Sequence, residues 1–325
     1  MSRSEFRLID QLFARLGAAR ADVAAGVGDD CALLRVPEGM ELAVTTDTLN
    51  EGVHFPAASD PDAVGHKALA VNLSDLAAAG ADPAWFTLAL SLPDAASDWA
   101  DGFARGLERL AAECGVALVG GDTVRGPLAV TIQAMGLVPA GQALHRRGAR
   151  PGQGIYVTGT LGDAGAGLEL ALGRRSVSDG AVADALRARL DRPTPRLAAG
   201  QSLRGAAGAA IDLSDGLAAD LGHVLAASGV GARVELERLP LSRELTAAVA
   251  EPEARLRLAL EAGDDYELCF TLAEDNEAVL EAVAAACPVT RIGTVETEPG
   301  LCLAYQGEPW RGAAGGYDHF AGGTG

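Results

Sequence analysis

The run Leu42-Ala43-Val44-Thr45-Thr46-Asp47 sets the reading of the whole chain. Three apolar residues lead directly into two hydroxyls and a carboxylate. A strand that buries its apolar part presents its polar end at an edge or cleft. Three neighbouring oxygen-bearing side chains suit a hard cation such as Mg²⁺, which takes oxygen ligands. A strand closing in an Asx or threonine turn has the same composition. Repetition favours the first reading. Gly28-Asp29-Asp30, Asn72-Leu73-Ser74-Asp75, Gly120-Gly121-Asp122-Thr123, Asp212-Leu213-Ser214-Asp215-Gly216 and Gly263-Asp264-Asp265-Tyr266-Glu267 add five further acidic stretches. Gathered carboxylates repel one another unless a cation joins them, so the set predicts a multi-metal site that handles phosphate.

The bulk composition narrows the rest. A chain of 325 residues suggests two domains. Hydrophobic residues make up 49% and aromatic residues only 4%, so the core must be built from Ala, Val and Leu. The net charge of −18 argues against a nucleic-acid partner, whose phosphates call for Lys and Arg. Cys31, Cys114, Cys269, Cys287 and Cys302 are scattered without a CxxC pair, which predicts neither a disulfide framework nor a zinc site. The polar start Met1–Asp10 does not read as a secretory signal, and no apolar run approaches the ~18 residues of a membrane span. A cytoplasmic protein with no membrane segment is expected. Among 26 basic residues Lys67 is the one lysine, kept for a specific contact or by compositional chance.

Along the chain, Ser2 and Glu5 form a capping-box pattern before Phe6, Ile9, Phe13 and Leu16 at helical spacing. Strands are predicted at Cys31–Val36 and Glu41–Thr46, joined through Pro37-Glu38-Gly39 as a hairpin. Asp60 and Pro61 open a helix reaching Gly80, on which Lys67 and Ser74 share a face and Asp75 lies about 80° from Lys67. Strands at Ala84–Ser91, Val116–Val119 and Leu128–Val138 flank a helix from Ser97 to Cys114. Residues 139–154, rich in Gly, Arg and Pro, read as the connection between domains 1–149 and 150–325. The second half mixes strands and helices without strict alternation, so the class is α+β. The pattern G-x-x-x-x-G-K-[ST] does not occur around Lys67, and Gly26-x-Gly28-x-x-Cys31 precedes a strand instead of following one, which excludes P-loop and dinucleotide-fold readings.

Six motifs in order carry a resemblance: Gly28-Asp29-Asp30; Thr45-Thr46-Asp47-Thr48-Leu49 with His54; Asn72-Leu73-Ser74-Asp75 with Gly80-Ala81; Gly120-Gly121-Asp122-Thr123; Asp212-Leu213-Ser214-Asp215-Gly216-Leu217; and Asp264-Asp265-Tyr266-Glu267-Leu268. The chain resembles the thiamine-monophosphate kinase family from Glu5-Phe6 to Tyr317–Phe320. The resemblance implies a two-domain PurM-like fold, a homodimer through the N-terminal domains, and ATP-dependent phosphorylation of thiamine monophosphate to thiamine diphosphate. It implies Mg²⁺ ligands at Asp30, Thr45, Thr46, Asp47, Asp75, Asp122, Asp212 and Asp215, and catalytic work by Asp30, Asp47, Asp75, Asp122 and Asp212. Gly121, Asp122, Arg146 and Ser214 would meet ATP. His54, Asp264, Tyr317 and Phe320 would meet thiamine monophosphate. Where the family usually has Gly-Glu-Asp-Tyr-Glu-Leu, this chain has Gly263-Asp264-Asp265-Tyr266-Glu267-Leu268, and Ala77-Ala78-Ala79 stands where a Met is common. Two other readings are an amide-activating or selenophosphate-forming enzyme on the same fold, and a non-catalytic metal–nucleotide binding module.

Overall fold

The computed structural model describes residues 8–14, 16–94, 98–310, 312 and 315. The chain divides into two compact units. One holds residues up to 76 and 81–141; the other holds 77–80 and the chain from 142 onward. The division at Gly141 and Gln142 falls eight residues before the 149/150 boundary expected from the sequence. The segment 144–149 is the reason. Its His145 carbonyl accepts from Ala210 N–H at 2.9 Å, and Ser228 Oγ accepts from Gly148 and Ala149 N–H at 3.1 Å each, all within the second unit.

In the first unit, Ile9–Phe13 winds as a π-type turn in place of the ordinary helix expected; Ser2, Glu5 and Phe6 lie outside the described residues. Strands β1 (Val23–Ala25) and β2 (Leu33–Leu34) pair with each other. The hairpin expected between Cys31–Val36 and Glu41–Thr46 is therefore not formed. Strand β3 (Met40–Asn50) pairs instead with β6 (Ala129–Pro139), in unbroken antiparallel register from Met40 opposite Pro139 to Asn50 opposite Ala129. That long ladder outcompetes anything the two-residue β2 offers. It also carries the strand past Thr45-Thr46-Asp47, which lie within β3 and not at its tip.

Helix α1 (Pro61–Ala78) and helix α2 (Asp98–Cys114) accompany strands β4 (Asp82–Leu92) and β5 (Ala117–Arg125). The sheet runs β3-β6-β4-β5, with β4 and β5 parallel and the other neighbours antiparallel. Helix α1 is buried around most of its circumference: Leu69, Leu73 and Leu76 are enclosed, and so are Lys67, Asn72 and Ser74. Trp85, Phe86, Phe103 and Leu107 complete this core, a concentration of the chain's few aromatics.

The second unit is built on a sheet ordered β13-β12-β9-β11-β7-β10-β8. Its strands are β7 (Gly154–Thr158), β8 (Ala209–Asp212), β9 (Gly231–Glu235), β10 (Leu268–Leu272), β11 (Val289–Glu296), β12 (Gly300–Tyr305) and β13 (Glu308–Pro309). Only β9 and β12 run parallel. The helices are α3 (Asp163–Ala171), α4 (Gly180–Asp191), α5 (Leu197–Ser202), α6 (Leu217–Ser228), α7 (Arg243–Ala248), α8 (Pro252–Glu261) and α9 (Glu277–Ala286). Strands β7 and β10 are buried along both faces and read as continuous apolar runs. One apolar layer gathers Ile155, Val157, Ile211, Leu221 and Leu260; another gathers Tyr156, Phe270, Leu203 and Val283. Among the described residues no helix is long and apolar enough to cross a membrane.

Candidate active site

In the first unit the acidic stretches form two groups. The first joins β3 to α1. Thr45 Oγ1 donates to Asp75 Oδ2, and the Asp47 N–H donates to Asn72 Oδ1 at 3.1 Å. Asn72 is itself fixed, its Nδ2 donating to Ala68 O at 3.0 Å inside the helix. The alternation of a strand sends Thr45 and Asp47 to one face and Thr46 to the other. Thr46 Oγ1 accepts from Gln133 Nε2 at 3.3 Å on that opposite face, so its hydroxyl does not join the Thr45 hydroxyl and the Asp47 carboxylate. His54 lies just beyond β3, where its Nδ1 accepts the Asn50 N–H at 3.0 Å and so leaves Nε2 as the ring's donor.

The second group lines a cleft of about 350 Å³ formed by Gly28, Asp29, Asp30, Gly120, Gly121 and Asp122, backed by Phe13 and Leu118. A bulge in the β4–β5 pairing leaves Val119 as the extra residue, between Phe86 opposite Leu118 and Thr87 opposite Gly120. The glycine at 121 is a requirement. Its φ is +151°, and a Cβ there would stand 1.9 Å from Leu88 O. Both Asp30 and Asp122 are exposed on this cleft.

The two groups are not one cluster within this unit. Asp47 lies opposite Ile132, Ile132 opposite Leu88, and Leu88 opposite Gly121. Asp47 and Gly121 thus share one row across the sheet, three strand spacings apart, roughly 14 Å. Within this unit the acidic stretches therefore stand at two places, because β3 and β5 are opposite edges of the sheet. Among the described residues no three His, Cys, Asp or Glu side chains form a ready-made metal cage.

The second unit brings two motifs together. The loop after β8 and the loop before β10 are laced by backbone bonds: Leu213 N–H to Glu267 O at 2.8 Å, Tyr266 N–H to Leu213 O at 2.8 Å, and Asp264 N–H to Ser214 O at 2.9 Å. Asp264 and Tyr266 take up left-handed backbone, φ 60° and 49°, as does Gly263 at 71°. A Cβ at 263 would lie 2.4 Å from Ser214 O, so this crossing requires glycine. Asp212, Ser214, Asp215 and Asp264 are consequently held in one small region. Asp212 is buried at the end of β8, opposite Leu268.

One residue beside this region was not singled out in the sequence. Asp220, in the first turns of α6, is buried, and its Oδ2 accepts the Asp215 N–H at 3.0 Å. Burial pushes its carboxyl up to about 7, with the negative Asp215 adding to the rise; bonds from the Asp215 and Ser214 N–H groups and the charge of Arg146 act against it. The sequence signal was a carboxylate one turn inside a helix that opens at Gly216, a residue with no side chain to cap it. Arg146 belongs to the 144–149 segment, and its carbonyl accepts from Ser228 Oγ at 3.4 Å. Tyr317 and Phe320 lie outside the described residues.

Two acidic edges in an α+β sheet and a laced pair of acidic loops define a class before they define a member. Residues 28–138 match the family described as AIR synthase related protein, N-terminal domain, and residues 150–305 match its C-terminal domain counterpart. The chain is 51% identical over 99% of its length, and 99% of the relative's, to thiamine-monophosphate kinase of Escherichia coli (strain K12). It therefore belongs to the thiamine-monophosphate kinase family, on the two-domain PurM-like fold. The solved thiamine-monophosphate kinase of Stenotrophomonas maltophilia K279a superposes with a TM-score of 0.85 at 46% identity, covering 95% of this chain and 99% of that one. A structure described as AaThiL complexed with AMPPCP and TMP superposes at 0.78 with 34% identity, covering 88% and 89%.

Proposed function

We infer that this protein transfers the terminal phosphoryl group of ATP to thiamine monophosphate, giving thiamine diphosphate. The observation that carries the reading is membership of the kinase family over essentially the whole chain. The acceptor is a phosphate that is already anionic near neutral pH, so the reaction makes little demand for a general base. The obstacle is bringing two polyanions together, which positioning and charge neutralisation overcome. Transfer is direct and in line.

The donors fit Mg²⁺. The cleft offers Asp30 and Asp122, and the β3–α1 group offers Thr45, Asp47 and Asp75, all oxygen ligands. Mg²⁺ keeps several waters and binds through one or two carboxylates plus substrate phosphates, so a cage of three protein ligands is not needed. When bound, it would neutralise phosphate charge on the transferring group. Asp212 and Asp215 would offer carboxylates to Mg²⁺ in the second unit, and Thr46, on the other face of β3, would offer a hydroxyl apart from the Thr45 and Asp47 side chains. Gly121, Asp122, Arg146 and Ser214 are assigned to ATP. His54, Asp264 and an aromatic of Tyr317 or Phe320 are assigned to thiamine monophosphate, whose thiazolium cation is drawn to carboxylates and aromatic faces.

A homodimer through the first unit belongs to the same reading. It is supported by the edge strand β3, which leaves Leu42 44% and Val44 52% exposed. The separation of Asp47 from Gly121 favours it too, since a second copy offers the missing acids from another sheet edge. We place the enzyme in the cytoplasm, with its ATP supply. Phosphorus-31 NMR of ATP, thiamine monophosphate and the protein tests the activity. Diphosphate-ester resonances should grow as the ATP γ signal falls; ATP consumed without a change in the thiamine monophosphate signal would overturn the assignment.

A further inference from the structure

Beneath the laced loops lies a buried ionic cluster that the reaction chemistry does not use. The Glu267 side chain is 1% exposed. It accepts from Arg196 Nε at 2.6 Å and Arg196 Nη2 at 2.5 Å, from Arg189 Nη2 at 2.7 Å, and from Thr158 Oγ1 at 2.6 Å. Thr158 Oγ1 also accepts the Leu268 N–H at 2.8 Å. Two residues earlier, the Asp265 carboxylate accepts the Gly162 N–H through both oxygens, at 3.0 and 2.9 Å. Arg189 completes the link, its Nε standing 3.9 Å from Asp163 Oδ2.

The arrangement has a direction. Asp265 and Glu267 are driven into the protein, while the residues between and before them, Tyr266 and Asp264, hold left-handed backbone. For residues other than glycine that conformation is strained and persists only where the surroundings over-determine it. The Glu267 anchor is such a surrounding. It fixes the segment whose N–H and C=O groups hold Leu213 and Ser214, and hence the stretch carrying Asp212 and Asp215. Burial alone would lower the charge preference of Arg196, yet the paired Glu267 carboxylate outweighs it and holds the guanidinium above its ordinary range.

We propose that Arg196 is a positioning residue for the acceptor site: through its two-bonded grip on Glu267 it sets the backbone that presents Asp264 to thiamine monophosphate. This rests on the assignment of Asp264 to that acceptor, and the test keeps the two claims apart. Arg196→Met keeps most of the volume and removes both bonds; Arg196→Lys keeps the charge but not the planar fork. Displacement of a binding group by about 1 Å commonly costs on the order of 10²-fold, so Arg196→Met should raise the KM for thiamine monophosphate about tenfold or more. The KM for ATP should change far less, and Arg196→Lys should fall between wild type and Arg196→Met.

A purely structural role would instead lower the active fraction, reducing kcat with both KM values intact, and that result would overturn the proposal. If Arg196→Met does not accumulate as folded protein, Arg196→Lys decides: an unchanged acceptor KM refutes the idea and a raised one supports it. Asp264→Ala is measured beside them. If it leaves the acceptor KM unchanged, the assignment of Asp264 fails and the positioning proposal falls with it. If it raises that KM while the Arg196 variants do not, only the positioning proposal fails.

Discussion

Thr45 on β3 donates its hydroxyl hydrogen to Asp75 on α1, so a strand residue fixes the orientation of a helix carboxylate. That bond helps hold the carboxylate in one orientation before a cation binds. Supporting groups of this kind commonly change metal affinity or activity about 10–100-fold. Thr45→Val should therefore raise the Mg²⁺ concentration needed for half-maximal rate by about tenfold, with little change in thermal stability. Asp47→Asn replaces an anionic ligand and should cost about 10²–10³ in rate, the usual loss for one strong transition-state contact. Magnesium titrations of initial rate check both; a wild-type curve for either variant would make it a turn or packing residue.

The second prediction concerns pH. Asp220 has its carboxyl raised to about 7 in the folded chain, from an ordinary value of 3.8. The folded state therefore binds a proton that the unfolded state has lost, and stability falls as pH rises from about 4 through about 7. A shift of this size corresponds to roughly 4 kcal/mol at most, using about 1.4 kcal/mol per pH unit. Asp220→Asn keeps an oxygen acceptor for the Asp215 N–H and removes the buried charge. In the absence of Mg²⁺ and nucleotide, its Tm advantage over wild type should be larger at pH 8 than at pH 5. Equal differences at the two pH values would show that Asp220 does not titrate in this range.

Gly121 offers a third test, on stability alone. Its φ of +151° and the 1.9 Å approach of Leu88 O leave no room for a methyl group. Gly121→Ala should cost about 2–3 kcal/mol or more, in line with substitutions that strain a special backbone position. Gly120→Ala is the internal control, since a Cβ there meets nothing within 4 Å. Chemical denaturation of the pair should show the difference; similar midpoints would mean that the β4–β5 bulge relaxes easily.

The fourth prediction addresses assembly. A charge on the exposed face of β3, as in Val44→Asp, should convert a dimer to a monomer, because a carboxylate buried at an apolar contact lacks a partner. Light scattering coupled to size exclusion reads the mass directly. A wild-type chain that is monomeric at micromolar concentration would remove the dimer from the proposed mechanism.

The acidic stretches were legible because each one follows a glycine or an apolar run, a pattern that packing alone seldom demands. Their partition was not. Whether Asp47 and Asp122 meet depends on which strands lie between them, and the register through Ile132 and Leu88 is set by tertiary pairing. The same competition defeated the hairpin at Pro37-Glu38-Gly39, where a local turn signal lost to the eleven-residue ladder with β6. Thr46 could have been assigned to the opposite face from alternation, once its strand was known to continue to Asn50. In the late motif alternation misleads, because Asp264 and Tyr266 interrupt the pleat with left-handed backbone. The aliphatic core, by contrast, follows from composition, with Ala, Val and Leu filling both sheets.

The late loop also separates what can vary from what cannot. Asp265 and Glu267 are committed to the interior, each tied to a backbone amide or to arginines. Asp264 is half-buried and owes its direction to them. A change of side chain at 264 alters reach and charge toward a ligand while the anchors keep the backbone in place. Evolution, or a designer seeking a different phosphorylated acceptor, thus has one adjustable position mounted on a fixed base. Exchange at 265 or 267 would move the mount itself and lose old and new acceptors alike.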